Sequence, residues 1–87
     1  MKLGILGGGN MAQAIVAGLL RSGMIGAADI LVSEPLAQSR DAIIKLGVSA
    51  RWDNAGVAAN CDALLLAVKP QMLGAVLDEI RPVSTAE

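Results

Sequence analysis

The stretch Lys2-Leu3-Gly4-Ile5-Leu6-Gly7-Gly8-Gly9-Asn10-Met11-Ala12 decides the fold. A short, mostly apolar run from Lys2 to Leu6 stops at three glycines. From Met11 to Arg21 the apolar residues return at helical spacing, with Met11, Ile15 and Leu19 in line and Val16 and Leu20 beside them. The order is strand, turn, helix, with Asn10 expected as the N-cap and Gly23 as the stop. Gly7, Gly9 and Ala12 fit the pattern G-x-G-x-x-G/A, and each has a separate task. Gly7 permits the tight turn, Gly9 lets a phosphate approach the backbone, and Ala12 is small enough for the helix to lie on the strand. A strand before the glycines and a helix after them are the context the pattern requires. It points to a pyrophosphate on the amino end of a helix, and so to a nicotinamide dinucleotide.

Moving outward, strand and helix alternate. Asp29 to Ser33 reads as a second strand, and Pro35 suits the first position of a helix running to about Leu46 and stopped by Gly47. Val48 to Arg51 is a weak third strand, after which Asn54 is expected to cap a short helix through Asn60. Ala63 to Val68 lacks polar alternation, as expected of a parallel strand covered on both faces in the centre of a sheet. Pro70 opens a last helix with Met72, Leu73, Val76, Leu77 and Ile80 as its apolar stripe, Pro82 ends it, and Val83 to Glu87 reads as a frayed tail. This alternation predicts an α/β fold of Rossmann type, a doubly wound parallel sheet most simply in the order 3-2-1-4.

Composition sets the bounds. Eighty-seven residues allow one core, and a 54% hydrophobic content with mean hydropathy +0.58 suits strands covered on both faces. The net charge of −1 and seven scattered basic residues offer no footprint for a nucleic-acid backbone or an anionic membrane, so neither is expected as a partner. One cysteine, Cys61, and no histidine leave neither a disulfide framework nor a Cys/His metal cluster, and a cytoplasmic setting is expected. The apolar start resembles a signal peptide, but Gly7-Gly8-Gly9-Asn10 breaks it early, and no apolar stretch approaches the roughly 20 residues of a membrane span. The four methionines are expected as core filler, Trp52 at the domain edge, and Cys61 as an inert small hydrophobe.

Glu34 follows the second strand, where an acidic side chain accepts hydrogen bonds from the adenine-side ribose and repels a 2′-phosphate. An acidic residue at a helix start also suits the dipole, so both readings stand. Arg40, further along the same helix, has two readings as well: a group that swings toward a 2′-phosphate, or a solvated helix residue.

With the opening Gly-Gly-Gly-Asn-Met-Ala, Asp53-Asn54 and above all Ala67-Val68-Lys69-Pro70-Gln71 read together, the chain resembles pyrroline-5-carboxylate reductase along essentially its whole length. The glycine turn is common to many dehydrogenases, whereas the Ala-Val-Lys-Pro-Gln segment after the fourth strand is much more specific. The resemblance implies reduction of the ring C=N of 1-pyrroline-5-carboxylate to L-proline with NAD(P)H. It implies that Leu6, Gly7, Gly8, Gly9, Asn10 and Met11 wrap the pyrophosphate, that Ser33 and Glu34 meet the ribose, that Asn54 bonds nearby, and that Ala67, Val68, Lys69 and Pro70 line the nicotinamide half.

Lys69 has a second reading as a snorkelling lysine at a strand end, and Asn54 as a helix cap. One departure is Pro35, where many family members carry Arg or another polar residue; with Glu34 it favours NADH over NADPH. Residues 1–87 are thus expected to be one cofactor-binding domain without a catalytic acid-base pair, the helical, dimer-forming substrate domain of similar enzymes being absent. A non-catalytic binding module and a β-hydroxyacid dehydrogenase-like reductase are the other readings. The apolar strand 63 to 68 is expected to drive homo-oligomer formation if its edge stays open.

Overall fold

The computed structural model describes residues 1–81, so the expected stop at Pro82 and the tail beyond it lie outside the described residues. Four strands, β1 (Leu3–Leu6), β2 (Ile30–Ser33), β3 (Ser49–Arg51) and β4 (Ala63–Leu66), form one all-parallel sheet in the order β3-β2-β1-β4. This is the expected topology. Helices α1 (Asn10–Ser22) and α2 (Ala37–Lys45) cover one face, and α3 (Asn54–Ala59) and α4 (Leu73–Ile80) the other. Single 3-10 turns at Ala27–Asp29 and Pro70–Met72 complete the chain.

The pleat explains the two cores. Ile5 joins Ala12, Val16, Ile30, Val32, Ile43 and Val48 under α1 and α2, while its neighbour Leu6 joins Val57, Ala58, Val76 and Ile80 under α3 and α4. Successive residues of one strand feed opposite faces, so a doubly covered strand must be apolar throughout. Full burial of side chains such as Ile5, Leu6 and Val32 contributes about 1.5–3 kcal/mol each. The register pairs Leu6 with both Ser33 and Leu66, so β1, β2 and β4 end level, and the turns that follow them share one crevice.

Several boundaries differ from expectation for physical reasons. The N-cap of α1 is Gly9, and Asn10 is its first helical residue. For α3 the cap is Asp53, whose carboxylate accepts from the Gly56 N–H at 3.0 Å, while Asn54 is already helical. Pro35 does not open α2, which starts at Ala37, because the Leu36 N–H is held at 3.0 Å by the Glu34 carboxylate and the turn stays extended there. Pro70 opens a 3-10 turn ahead of α4.

The fourth strand stands at the sheet edge among the described residues, not at its centre. Apolar content reports the two faces of a strand and says nothing of its hydrogen-bonding neighbours. All four methionines, Met1, Met11, Met24 and Met72, are more than half exposed, and Trp52 is 71% exposed, so none fills the core. Of the α4 stripe only Val76 and Ile80 are buried; Met72, Leu73 and Leu77 remain exposed.

Candidate dinucleotide site

The turn after β1 is fixed by contacts that only glycine permits at two positions. Gly7 has φ +110°, and a Cβ there would sit 2.5 Å from the Ala67 carbonyl oxygen. Its N–H donates to the Ser33 carbonyl at 2.8 Å, while the Ala67 N–H donates to the Leu6 carbonyl at 2.8 Å, tying the ends of β2 and β4 to this turn. A Cβ on Gly8 would lie 2.7 Å from the Cβ of Glu34, and the Gly8 N–H donates to Glu34 Oε1 at 2.7 Å in a buried contact. Gln13, which sequence reasoning passed over, donates from Nε2 to the Gly8 carbonyl at 3.1 Å and holds the turn against α1.

Gly9 is different. A Cβ there would meet nothing within 4 Å, and its φ of −76° suits any residue, so nothing within the described protein demands glycine. The space beside it is open to a closely approaching ligand. The first bond of α1 runs from the Gln13 N–H to the Gly9 carbonyl, leaving the N–H groups of the exposed Gly9, Asn10 and Met11 as open donors of a helix amino end with no capping side chain, while Ala12 is fully buried. Three exposed donors beside an open glycine fit the pyrophosphate of a dinucleotide. Leu6 is fully buried with its carbonyl taken by the Ala67 N–H, and Met11 lies exposed beside the open donors.

Glu34 is 9% exposed, and its second oxygen accepts from the Leu36 N–H. A carboxylate has about four acceptor sites, so two stay unused by these contacts. Arg40 is half-buried, and its Nη1 donates to the carbonyls of Glu34 and Pro35, both at 2.9 Å.

Ser33 is fully buried and hands its hydroxyl to Asn54 Oδ1, and Asn54 Nδ2 reaches Glu79 Oε1 at 3.2 Å. Ser33 therefore positions Asn54 rather than facing the crevice. Glu79 carries no sequence signal because its partner Asn54 lies 25 residues away, and the Gln13 contact to Gly8, five residues back, depends on the curvature of the turn. Arg51 pairs with Asp53 at 3.0 Å, and this hydrogen bond holds the Asp53 carboxyl below its ordinary value.

On the far side of the turn, Val68 is half-buried against the Leu6 cluster, whereas Lys69 and Pro70 are exposed, and Lys69 has no ion pair among the described residues. Cys61 is half-buried, and desolvation pushes its thiol up, away from reactivity. A shallow apolar hollow of about 330 Å³ near Met1, Leu19 and Met24 lies at the amino ends of the strands, opposite the crevice. The described residues hold no group of acidic, cysteine or histidine side chains suited to a metal ion, and no helix among them is long and apolar enough to cross a membrane.

The family described as NADP oxidoreductase, coenzyme F420-dependent, matches residues 2–87. Pyrroline-5-carboxylate reductase 3 of Rattus norvegicus is 40% identical over 86 residues, covering 99% of this chain and 31% of that protein. A pyrroline-5-carboxylate reductase structure from Coxiella burnetii superposes with a TM-score of 0.89 at 33% identity, covering 99% of this chain and 32% of its own. A Plasmodium falciparum pyrroline carboxylate reductase with NADP bound gives a TM-score of 0.77 at 27% identity, covering 95% and 29%. The chain thus spans about a third of the length of the relatives it matches.

Proposed function

The chain belongs to the family described as NADP oxidoreductase, coenzyme F420-dependent, and on that premise we propose that it is the cofactor-binding portion of a reductase converting 1-pyrroline-5-carboxylate to L-proline. The observation that carries the reading is the open Gly9 at the amino end of α1, set in a chain that resembles such reductases from end to end. Bound NAD(P)H supplies the hydride that reduces the ring C=N, with a proton taken up at nitrogen.

The residues of this chain bind and orient. Gly7 and Gly8 shape the turn, and Gly9, Asn10 and Met11 offer N–H donors to the pyrophosphate, with Ala12 packed beneath them. Glu34 accepts from the ribose hydroxyls and favours NADH, and Pro35 adds no polar group that would offset this. Asn54, aligned by Ser33, bonds on the same side of the crevice. Ala67, Val68, Lys69 and Pro70 border the nicotinamide half, with Lys69 placing a positive charge near phosphate or substrate carboxylate.

Residues 1–87 act as one cofactor domain of a cytoplasmic enzyme. The imine pocket and proton donor belong to the part of the intact protein corresponding to the remaining two thirds of its relatives, and alone these residues bind cofactor with little or no turnover. The open edge of β4 pairs with a second copy.

The test is a titration of the 87-residue chain with NADH and with NADPH, followed by calorimetry or by the fluorescence of Trp52, which lies two residues from Asn54. Saturable binding is expected, tighter for NADH. Absence of binding by either would refute the assignment. Substrate reduction by this chain at the rate of an intact relative would refute the division of labour.

A further inference from the structure

We propose that Glu79 is a positioning residue: its carboxylate fixes which way round the Asn54 amide stands, so that a bound dinucleotide meets the donor and the acceptor of Asn54 at set places. The proposal rests on the dinucleotide reading above, in which Asn54 bonds to the cofactor. Three residues far apart along the chain meet here. Ser33 ends β2, Asn54 opens α3, and Glu79 stands near the end of α4. The Ser33 hydroxyl donates to Asn54 Oδ1, and Asn54 Nδ2 donates to Glu79 Oε1 at 3.2 Å.

A carboxamide has two ends of nearly the same shape, one a double donor and the other an acceptor with two lone pairs, so turning it over exchanges its chemistry and keeps its outline. Ser33 does not choose between the two orientations. It is fully buried, and a hydroxyl both donates and accepts, so it pairs with Oδ1 or with Nδ2. An ionised carboxylate only accepts. With Glu79 on the other side, Nδ2 must face Glu79, Oδ1 must face Ser33, and Ser33 must act as the donor. The direction of this run of hydrogen bonds therefore comes from α4. Each end of the amide spends half of its capacity within the run, which leaves one N–H on Nδ2 and one lone pair on Oδ1 for a ligand. Glu79 is exposed and forms no ion pair among the described residues, whereas its neighbour Asp78 holds Arg81.

The charge of Glu79 gives the test its sign. A dinucleotide is anionic at its pyrophosphate, so a carboxylate acting only through space opposes binding, and removing it would tighten the complex. Removing a carboxylate that acts through Asn54 loosens it. The measurement is the affinity for NADH and NADPH of the unaltered chain, Glu79→Ala, Glu79→Gln, Asn54→Ala and the double variant, with a thermal melt of each. Because Glu79 is exposed, the melts of its two single variants should stay close to that of the parent. Glu79→Ala is expected to weaken binding about 3- to 10-fold, the worth of one hydrogen bond. Glu79→Gln, whose amide accepts as well as donates, is expected to fall between, and Glu79→Ala should cost nothing further in a chain that already carries Asn54→Ala. The side-chain amide signals of Asn54 in nitrogen-edited NMR of the unliganded chain should move in Glu79→Ala. Unchanged or tighter binding in Glu79→Ala, or the same loss with and without Asn54, would overturn the proposal. If Asn54→Ala bound as the parent does, the role of Glu79 would fall while the glycine turn kept its assignment. If the unaltered chain bound neither cofactor, the dinucleotide reading itself would fail.

Discussion

Glu34 Oε1 accepts the Gly8 N–H at 2.7 Å in a buried contact, joining the turn after β1 to the turn after β2. This bond makes Glu34 part of the architecture as well as a candidate ribose ligand. Glu34→Ala would leave a buried N–H without a partner, at a cost of about 1–3 kcal/mol. Glu34→Gln keeps an acceptor for Gly8 and should recover most of that loss. Urea unfolding of the two variants reads the difference, and equal stability would mean the Gly8 contact carries no weight.

The glycines of the turn should divide into structural and ligand-facing. Gly7→Ala forces a side chain into φ +110° and against the Ala67 carbonyl, so it should destabilise by about 3 kcal/mol or more. Gly9→Val meets open space, so its melting temperature should stay close to that of the parent while cofactor affinity is lost. A Gly9→Val variant that still bound dinucleotide would remove the pyrophosphate from this loop.

Acid should act partly through Asp53. Its carboxyl is held below the ordinary value, first by the hydrogen bond from Arg51, so the stabilisation is present above the unfolded carboxylate range near pH 4 and is lost as pH falls through the lower folded value. Asp53→Asn keeps a cap for Gly56 and removes the ionisation. Melting temperatures between about pH 2.5 and 6 should fall less steeply for Asp53→Asn than for the parent. Parallel curves would contradict this.

The outer edge of β4 should make the chain self-associate at high concentration. Sedimentation velocity is expected to show a dimer whose share rises with loading, and Leu65→Lys, a charge at a position already 38% exposed, should suppress it. A single monomeric boundary throughout the range would dispose of the idea.

Strand order was readable from the sequence because βα alternation leaves few ways to wind a parallel sheet. Gly7 and Ala12 were readable too, since a backbone close approach and a helix-strand contact each tolerate only small residues. Caps were legible only to within one residue. Asp53 and Asn54 are both good capping types, and the choice between them falls to Arg51, which grips the Asp53 carboxylate. The start of α2 at Ala37 is not legible, because the Glu34 carboxylate, itself fixed by the Gly8 N–H, holds Leu36 extended. Ser33 was legible as a polar strand end but not as an internal partner of Asn54, a contact between residues brought together only by folding.

The split of amides across the glycine turn bears on kinetics. With Gly7 and Gly8 already committed to Ser33 and Glu34, the curvature of the loop is set during folding, and a ligand arriving at the remaining donors finds a finished surface. Encounter should therefore be limited by diffusion and orientation rather than by loop rearrangement. Substitutions around the crevice should alter chiefly how long the ligand stays.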